Sequence, residues 1–127
     1  MKLKIAVLPG DGIGPEVTNQ SIKVLNCIAD KYNHKVELTE GLVGAIAIDE
    51  YNDPYPDSTH MLCKDSDAIL FGAIGDPKYD NDPKAKVRPE QGLLKMRKKL
   101  GLFANLRPTI IFESLLEMSP IKEERIK

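Results

Sequence analysis

The stretch VLPGDGIGPEV, residues 7–17, joins an aliphatic run to a helical pattern and determines which fold the chain can adopt. It holds three glycines and two prolines. A dinucleotide fingerprint of the G-x-G-x-x-G type needs its third glycine where the helix packs closely on the strand. Counted from Gly10, that position holds Pro15. The stretch therefore fails as a Rossmann phosphate loop, and a cofactor site, if the chain has one, must be sought elsewhere.

The residues on either side of this stretch predict a strand and a helix. Residues 3–8 (LKIAVL) form a nearly continuous aliphatic run, which is typical of a strand buried on both faces of a parallel sheet. Pro15 suits the first position of a helix, which is expected to run to about Tyr32. One face of this helix is expected to contact the sheet. The residues on that face, which follow one another at helical spacing, are Val17, Ser21, Val24, Leu25, Ile28 and Tyr32.

The remaining pattern alternates between strands and helices. It predicts a possible second strand at 36–38, a short helix at 58–64 capped by Asp57, and a third buried strand at 68–73. A polar loop without structure of its own is predicted at 75–89. A helix at 91–100, closed by Gly101, and an extended segment at 103–112, broken at Pro108, should follow. The order strand, helix, strand, helix predicts an α/β fold with a mostly parallel sheet flanked by helices.

Composition narrows the classes of function. With 127 residues the chain is one domain or part of one, and its 18 basic and 19 acidic side chains create no strong field toward nucleic acid or an anionic membrane. No apolar run is long enough to span a membrane, and residues 1–5 lead straight into a strand, so we expect a cytoplasmic protein. Cys27 and Cys63 lie inside helical patterns without a paired spacing, which favours buried reduced thiols over a disulfide or zinc site.

The stretch RPEQGLLKMRKKLGLFANLRP, residues 88–108, holds the candidate binding residues. On a helix, Glu90, Leu93, Leu94 and Arg97 share one face, and Arg107 follows just before Pro108. Two converging guanidinium groups would bind the carboxylates of a small, partly apolar diacid. The spacing alone is also compatible with an ordinary amphipathic helix whose leucines face inward and whose arginine faces the solvent.

Four segments, LPGDGIGPEV, LFGAIGDPKYD, RPEQGLLKMRK and LFANLRP, stand in an order and spacing that resembles the N-terminal part of the isocitrate/isopropylmalate dehydrogenase family. These are metal-dependent decarboxylating β-hydroxyacid dehydrogenases. The resemblance implies an isopropylmalate dehydrogenase-like fold, which is not a Rossmann fold. It also implies that residues 1–102 belong to the cofactor-side domain and that residues 103–127 begin a second, truncated domain.

The resemblance implies the chemistry as well. Members of the family oxidise the C2 hydroxyl of a malate-type substrate with hydride transfer to NAD and then lose the β-carboxylate as carbon dioxide, with Mg²⁺ or Mn²⁺ polarising the new carbonyl. By this resemblance Arg97 and Arg107 hold substrate carboxylates, Leu93 and Leu94 line the pocket for an isopropyl group, and Glu90 lies between substrate and nicotinamide ribose. The implied cofactor-binding residues are Ile13, Gly75, Asp76, Pro77, Lys78, Arg88, Pro89, Glu90 and Gln91.

The two leucines favour one substrate within the family. Isocitrate carries an extra carboxylate at this place, whereas Gly92, Leu93 and Leu94 offer it no side-chain donor, and an unpaired buried carboxylate would cost several kcal/mol. We therefore expect 3-isopropylmalate, and with it a role in leucine biosynthesis, while isocitrate and tartrate dehydrogenases remain alternatives. Asp76 departs from the family pattern, where a second glycine is frequent.

Several functional groups of the family have no counterpart in these residues. They are a third substrate arginine, a catalytic tyrosine and lysine, the aspartates that bind the metal, and the adenine-binding segment. We therefore expect no catalytic and no metal-binding residue in this chain, inactivity of the chain alone, and a homodimer for the complete enzyme. Two other hypotheses are a stand-alone α/β binding domain without catalysis and a nucleic-acid binder. The second would use a basic cluster, Lys95, Arg97, Lys98 and Lys99, but no aromatic residue near it could stack on bases.

Overall fold

Three parallel strands form the sheet in the computed structural model, which describes residues 1–80 and 86–125. The strands are β1 (Lys2–Gly10), β2 (Lys35–Glu40) and β3 (Ala68–Ala73), in the order β2-β1-β3. Central strand β1 pairs with β2 on one side and with β3 on the other. The α/β fold with a parallel sheet is confirmed, and the central strand β1 is buried along most of its length, as expected for a strand covered on both faces. Strand β3, predicted to be buried, is only half-buried because it lies at the edge of the described sheet.

Among the described residues, five α-helices accompany the sheet. They are α1 (Gly14–Lys31), α2 (Ala45–Tyr51), α3 (Asp57–Lys64), α4 (Pro77–Asp80) and α5 (Pro89–Lys99), followed by two 3₁₀ turns, Glu113–Met118 and Glu123–Arg125. Gly101, predicted to close the last helix, has a φ of +68° just beyond the end of α5. A left-handed residue at that position is the usual way for a helix to end.

The main core lies on the sheet face opposite α1. It consists of Ala6, Leu8, Val43, Tyr55, Cys63 and Met96, with Ile69, Phe71 and Leu93 among the half-buried residues packed against it. Paired strand residues point to the same face, and so Ile5 and Leu70 face α1 while Ala6 and Ile69 face the core. The sheet is thus covered on both faces.

The predicted contact face of α1 is confirmed in direction, because Ser21, Val24, Leu25 and Ile28 line a groove together with residues of β1 and β3, but its large side chains are not buried. Val17, Val24, Ile28 and Tyr32 are 44, 63, 47 and 58% exposed, while the helix buries Gly14, Thr18 and Ala29. The physical reason is the close approach of the helix to the sheet. A Cβ on Gly14 would overlap the carbonyl oxygen of Pro9, so small residues occupy the contact line and the larger aliphatic side chains lie beside it.

Three local predictions also need correction. The loop predicted at 75–89 contains the short helix α4, whereas its residues 81–85 lie outside the described residues. Asp57 lies in the first turn of α3 without capping it, since Pro56 is the N-cap residue. Both cysteines are free thiols, but only Cys63 is buried, and burial raises the pKa of its thiol, while Cys27 is exposed because it faces away from the sheet on α1.

The segment predicted to be extended at 103–112 belongs to no strand of the described sheet. Its apolar side chains are open to solvent, with Phe103 97% and Leu106 88% exposed. An aliphatic pattern yields a strand only when a neighbouring strand and a core receive it, and the described residues offer neither at this place.

Candidate functional site

The candidate site lies at the carboxyl edge of the sheet, where β1 and β3 end side by side. The amide of Asp11 donates a 2.8 Å hydrogen bond to the carbonyl of Ala73. Gly10 has a φ of +72°, and a Cβ at this position would overlap that same carbonyl oxygen. The first glycine of the opening stretch is therefore required by the close approach of two strand ends, which agrees with the failed phosphate-loop pattern.

Asp11 connects three segments at this edge. Its carboxylate is buried, with the residue 6% exposed, and Oδ2 accepts hydrogen bonds from the amides of Ala45 at 2.8 Å and Gly75 at 3.1 Å. Oδ1 accepts from the amide of Ile46 at 3.1 Å. The carboxylate thus accepts hydrogen bonds from two of the N–H groups at the start of α2 that have no partner within the helix. It also holds Gly75, two residues after the end of β3. Sequence reasoning missed Asp11, although an acidic residue between two glycines was visible.

Asp49 on α2 holds the other end of the segment that follows β3. Its Oδ1 accepts hydrogen bonds from Lys78 Nζ and from the Tyr79 hydroxyl, each at 2.6 Å. The hydrogen bond from Lys78, followed by that from Tyr79, lowers the pKa of the Asp49 carboxyl, and the same contact raises the pKa of Lys78. Lys78, a predicted cofactor residue, therefore has its ammonium in an ion pair with α2.

The unusual residue Asp76 interacts with its own segment. Its Oδ1 accepts a 2.9 Å hydrogen bond from the amide of Lys78, and its carbonyl accepts one of 2.9 Å from the amide of Tyr79. An aspartate immediately before a helix commonly caps it in this way. Asp76 thus fixes the start of α4, which gives a local reason for an acidic residue at a position where the resemblance leads us to expect glycine.

The predicted cofactor residues of three segments lie close together. A Cβ on Gly75 would stand 3.3 Å from Glu90 Oε1, and one on Gly12, next to Ile13, would stand 3.8 Å from the carbonyl oxygen of Gly75. At the start of α5, the amide of Arg88 donates to Gln91 Oε1 at 3.3 Å, and Pro89 is buried. The opening turn, the residues after β3 and the start of α5 therefore border one region.

The predicted substrate residues are divided between different environments. Leu93 packs against the core, whereas Leu94 is 64% exposed, although the spacing predicts one shared face. Arg97 is half-buried on α5, and Arg107 is exposed in the irregular segment after it. Within residues 1–80 and 86–125, neither guanidinium is engaged in a hydrogen bond or ion pair, which leaves both available to a ligand.

Helix α5 is held by two ion pairs, one to the loop between α2 and α3 and one to the first turn of α3. Lys95 Nζ lies 2.6 Å from Asp53 Oδ2, and Lys99 Nζ lies 2.7 Å from Asp57 Oδ1. A Cβ on Gly92 would come within 2.5 Å of the carbonyl oxygen of Pro54, so glycine permits the close packing. These contacts occupy two of the four cations of the basic cluster and fix the helix that carries Arg97.

Neither a metal centre nor a membrane span is found in the part of the chain that the structure covers. No group of three His, Cys, Asp or Glu side chains among these residues could hold a metal ion. None of the described helices has the length and apolar character needed to cross a membrane.

The sequence profile described as "Isocitrate/isopropylmalate dehydrogenase" matches residues 4–127. The chain is 55% identical over 127 residues to the 3-isopropylmalate dehydrogenase of Bacteroides fragilis (strain YCH46), covering 100% of this chain and 36% of that one. It is 54% identical over 126 residues to the 3-isopropylmalate dehydrogenase of Bacillus subtilis (strain 168), covering 99% of this chain and 34% of the relative. The chain thus spans about a third of the length of these relatives.

Solved structures agree with this match. The apo form of a β-decarboxylating dehydrogenase from Thermococcus kodakarensis superposes with a TM-score of 0.63 at 32% identity, covering 80% of this chain and 27% of that one. An isocitrate dehydrogenase from Methylococcus capsulatus superposes with a TM-score of 0.52 at 27% identity, covering 59% of this chain and 21% of that one.

Proposed function

This chain belongs to the isocitrate/isopropylmalate dehydrogenase family, and from that premise we propose that it forms the N-terminal part of an NAD-dependent 3-isopropylmalate dehydrogenase of leucine biosynthesis. The name shared by the B. fragilis and B. subtilis relatives supports this proposal. The observation that carries it is the proximity of Gly12, Gly75 and Glu90, which lie on three segments that the family resemblance assigns to the cofactor.

The substrate would lie along the exposed side of α5. Arg97 and Arg107 would hold its two carboxylates, and their guanidinium groups have no partner in the described residues that would have to be displaced. Leu94 offers an exposed apolar surface to the isopropyl group, with Leu93 beneath it against the core. Isocitrate is less suitable because the side chains at 92–94 could donate no hydrogen bond to its additional carboxylate.

The cofactor would lie across the carboxyl edge of the sheet. NAD accepts a hydride from the substrate when it is bound. Residues 75–78 and Ile13 would border its nicotinamide half, and residues 88–91, at the start of α5, would face its ribose. Gly12 and Gly75 suit such a border because they bring bare backbone to the surface, which permits close approach of a ligand.

The metal and the reacting groups would come from other parts of a protein of the relatives' length. Since the described residues contain no group of three suitable side chains, Mg²⁺ or Mn²⁺ would need ligands from elsewhere. We accordingly propose that the 127 residues alone are inactive and that the complete enzyme is a cytoplasmic homodimer. The division at residue 102 is part of this proposal, and the uniform exposure of residues 101–110 supports it.

A chimeric enzyme tests this function. In it the present chain replaces the matched 127-residue segment of the B. fragilis relative, and formation of NADH is followed with 3-isopropylmalate, isocitrate and tartrate in the presence of Mg²⁺. We expect turnover with 3-isopropylmalate at the highest kcat/KM, and no turnover by the 127-residue chain alone. A higher kcat/KM with isocitrate or tartrate, or a chimera that folds but oxidises none of the three, would contradict the proposal.

A further inference from the structure

The residues that follow β3 are attached to α2 at two separate points. At the first, the Asp11 carboxylate holds the amide of Gly75 at 3.1 Å while it holds the amides of Ala45 and Ile46 at the start of α2. At the second, Asp49 on α2 holds Lys78 Nζ and the Tyr79 hydroxyl at 2.6 Å each. Both points involve a carboxylate, and together they bracket the segment 75–79.

The attachment through Asp11 leaves little freedom. Gly44, which precedes α2, has a φ of +86°, and a Cβ there would overlap Asp11 Oδ2. The carboxylate therefore sits against bare backbone on one side and against three amide donors on the other. Because a buried carboxylate that loses its donors is strongly disfavoured, the three amide contacts of Asp11 fix Gly75 relative to the start of α2.

We infer that α2 is the support on which the cofactor-side segment 75–79 is positioned, and that Asp11 and Asp49 are the two positioning residues. This inference rests on the proposed function for the role of the segment, but the attachment itself is independent of it. Neither carboxylate is assigned a contact with substrate or cofactor. They act through Gly75, Lys78 and Tyr79, so their loss should affect the cofactor much more than the substrate.

The kinetic test uses Asp11→Asn and Asp49→Asn in the chimeric enzyme. We expect Asp11→Asn to raise KM for NAD on the order of tenfold and KM for 3-isopropylmalate by less than about twofold, since an amide keeps one acceptor oxygen but loses the charge. Asp49→Asn, at an exposed site where folding is not at risk, should raise KM for NAD by about twofold to threefold. The matched control is Asp67→Asn, whose Oδ2 accepts a backbone hydrogen bond from Lys4 at 2.8 Å near the amino ends of the strands.

A second measurement does not depend on activity. Hydrogen–deuterium exchange of the 127-residue chain should become faster in peptides covering residues 75–79 with Asp11→Asn and with Asp49→Asn, and should stay unchanged there with Asp67→Asn. If the unmutated chimera is inactive, the proposed function is wrong. The exchange rates at residues 75–79 would then still test whether Asp11 and Asp49 attach this segment to α2. If the chimera is active but both KM values rise together, or if exchange at 75–79 does not change in either variant, the inference is wrong.

Discussion

The ammonium of Lys95 donates to both carboxylate oxygens of Asp53, with Nζ–Oδ distances of 2.6 and 2.8 Å. The contact joins α5 to a residue 42 positions earlier in the chain. Burial opposes ionisation of Asp53, but the hydrogen bonds from Lys95 and from the amide of Tyr55, with the charge of Lys95, outweigh it and lower the pKa of the carboxyl. The helix that carries Arg97 is therefore held by a partly buried ion pair.

A double-mutant cycle measures this ion pair. Asp53→Asn, Lys95→Met and the double variant should give a coupling of about 0.5–1 kcal/mol in the free energy of unfolding by urea, because the pair is only partly screened. The pair Lys2–Glu37, at 3.0 Å with side chains 59 and 42% exposed, is the control and should couple less. No measurable coupling between Asp53 and Lys95 would show that this ion pair does not hold α5.

The lysine-paired carboxylates predict how stability depends on acid. Lysine hydrogen bonds lower the pKa values of Asp49 and Asp57, as Lys95 helps to do for Asp53. A carboxyl whose pKa is lower in the folded state adds stability above its unfolded pKa of about 3.9, and that stability is lost as pH falls through the folded pKa. The urea concentration at the midpoint of unfolding should therefore decrease as the pH is lowered below about 4. This decrease should be less steep in the Lys95→Met variant, which lacks one of the ion pairs. Parallel curves for the two proteins would contradict this.

Substitution of Gly10 and Gly101 by alanine distinguishes the cost of atomic overlap from the cost of backbone strain. Both have positive φ, at +72° and +68°, but a Cβ on Gly10 would overlap the Ala73 carbonyl oxygen, whereas one on Gly101 would meet no atom within 4 Å. Gly101→Ala should reduce the free energy of unfolding by about 1 kcal/mol, and Gly10→Ala by about 2–4 kcal/mol, since strain and overlap combine. Thermal unfolding of the two variants measures the difference, and equal losses would show that the strand ends can separate at little cost.

Leu93 and Leu94 should have different roles, because one packs on the core and the other is 64% exposed. In the chimeric enzyme, Leu94→Ala should weaken the preference for 3-isopropylmalate over malate by about 1–3 kcal/mol in kcat/KM and leave stability nearly unchanged. Leu93→Ala should weaken the same preference and also lower the unfolding midpoint. A Leu94→Ala enzyme with unchanged preference would remove this side chain from the isopropyl pocket.

Local sequence signals predicted the elements of the fold well where one residue type dominates. Strand β3 has the predicted bounds because Ala68–Ala73 is a short aliphatic run between polar residues. Gly101 ends the last helix, as expected from its permissive backbone. The pattern on α1 predicted the side that faces the sheet but not its burial: Val24 and Ile28 border a groove beside the strands and stay exposed, whereas small residues such as Gly14 make the close contact.

The candidate site was predicted only in part, because its geometry depends on contacts between distant residues. The resemblance pointed to Gly75 and Glu90, which do lie close together. It gave no indication of Asp11, whose hydrogen bonds reach residues 34 and 64 positions away. No local spacing encodes such contacts. Helix α4 was missed for a related reason, since a single aspartate and proline are a weak signal for a helix of four residues.

The most direct test of the account is the substitution Arg97→Lys in the chimeric enzyme. An ammonium cannot reproduce the forked contact of a guanidinium with a carboxylate. We therefore predict a raised KM and a lowered kcat for 3-isopropylmalate, with kcat/KM reduced on the order of tenfold or more, while KM for NAD changes little. Unchanged kinetics with 3-isopropylmalate would contradict the account, because Arg97 would then lie outside the substrate site.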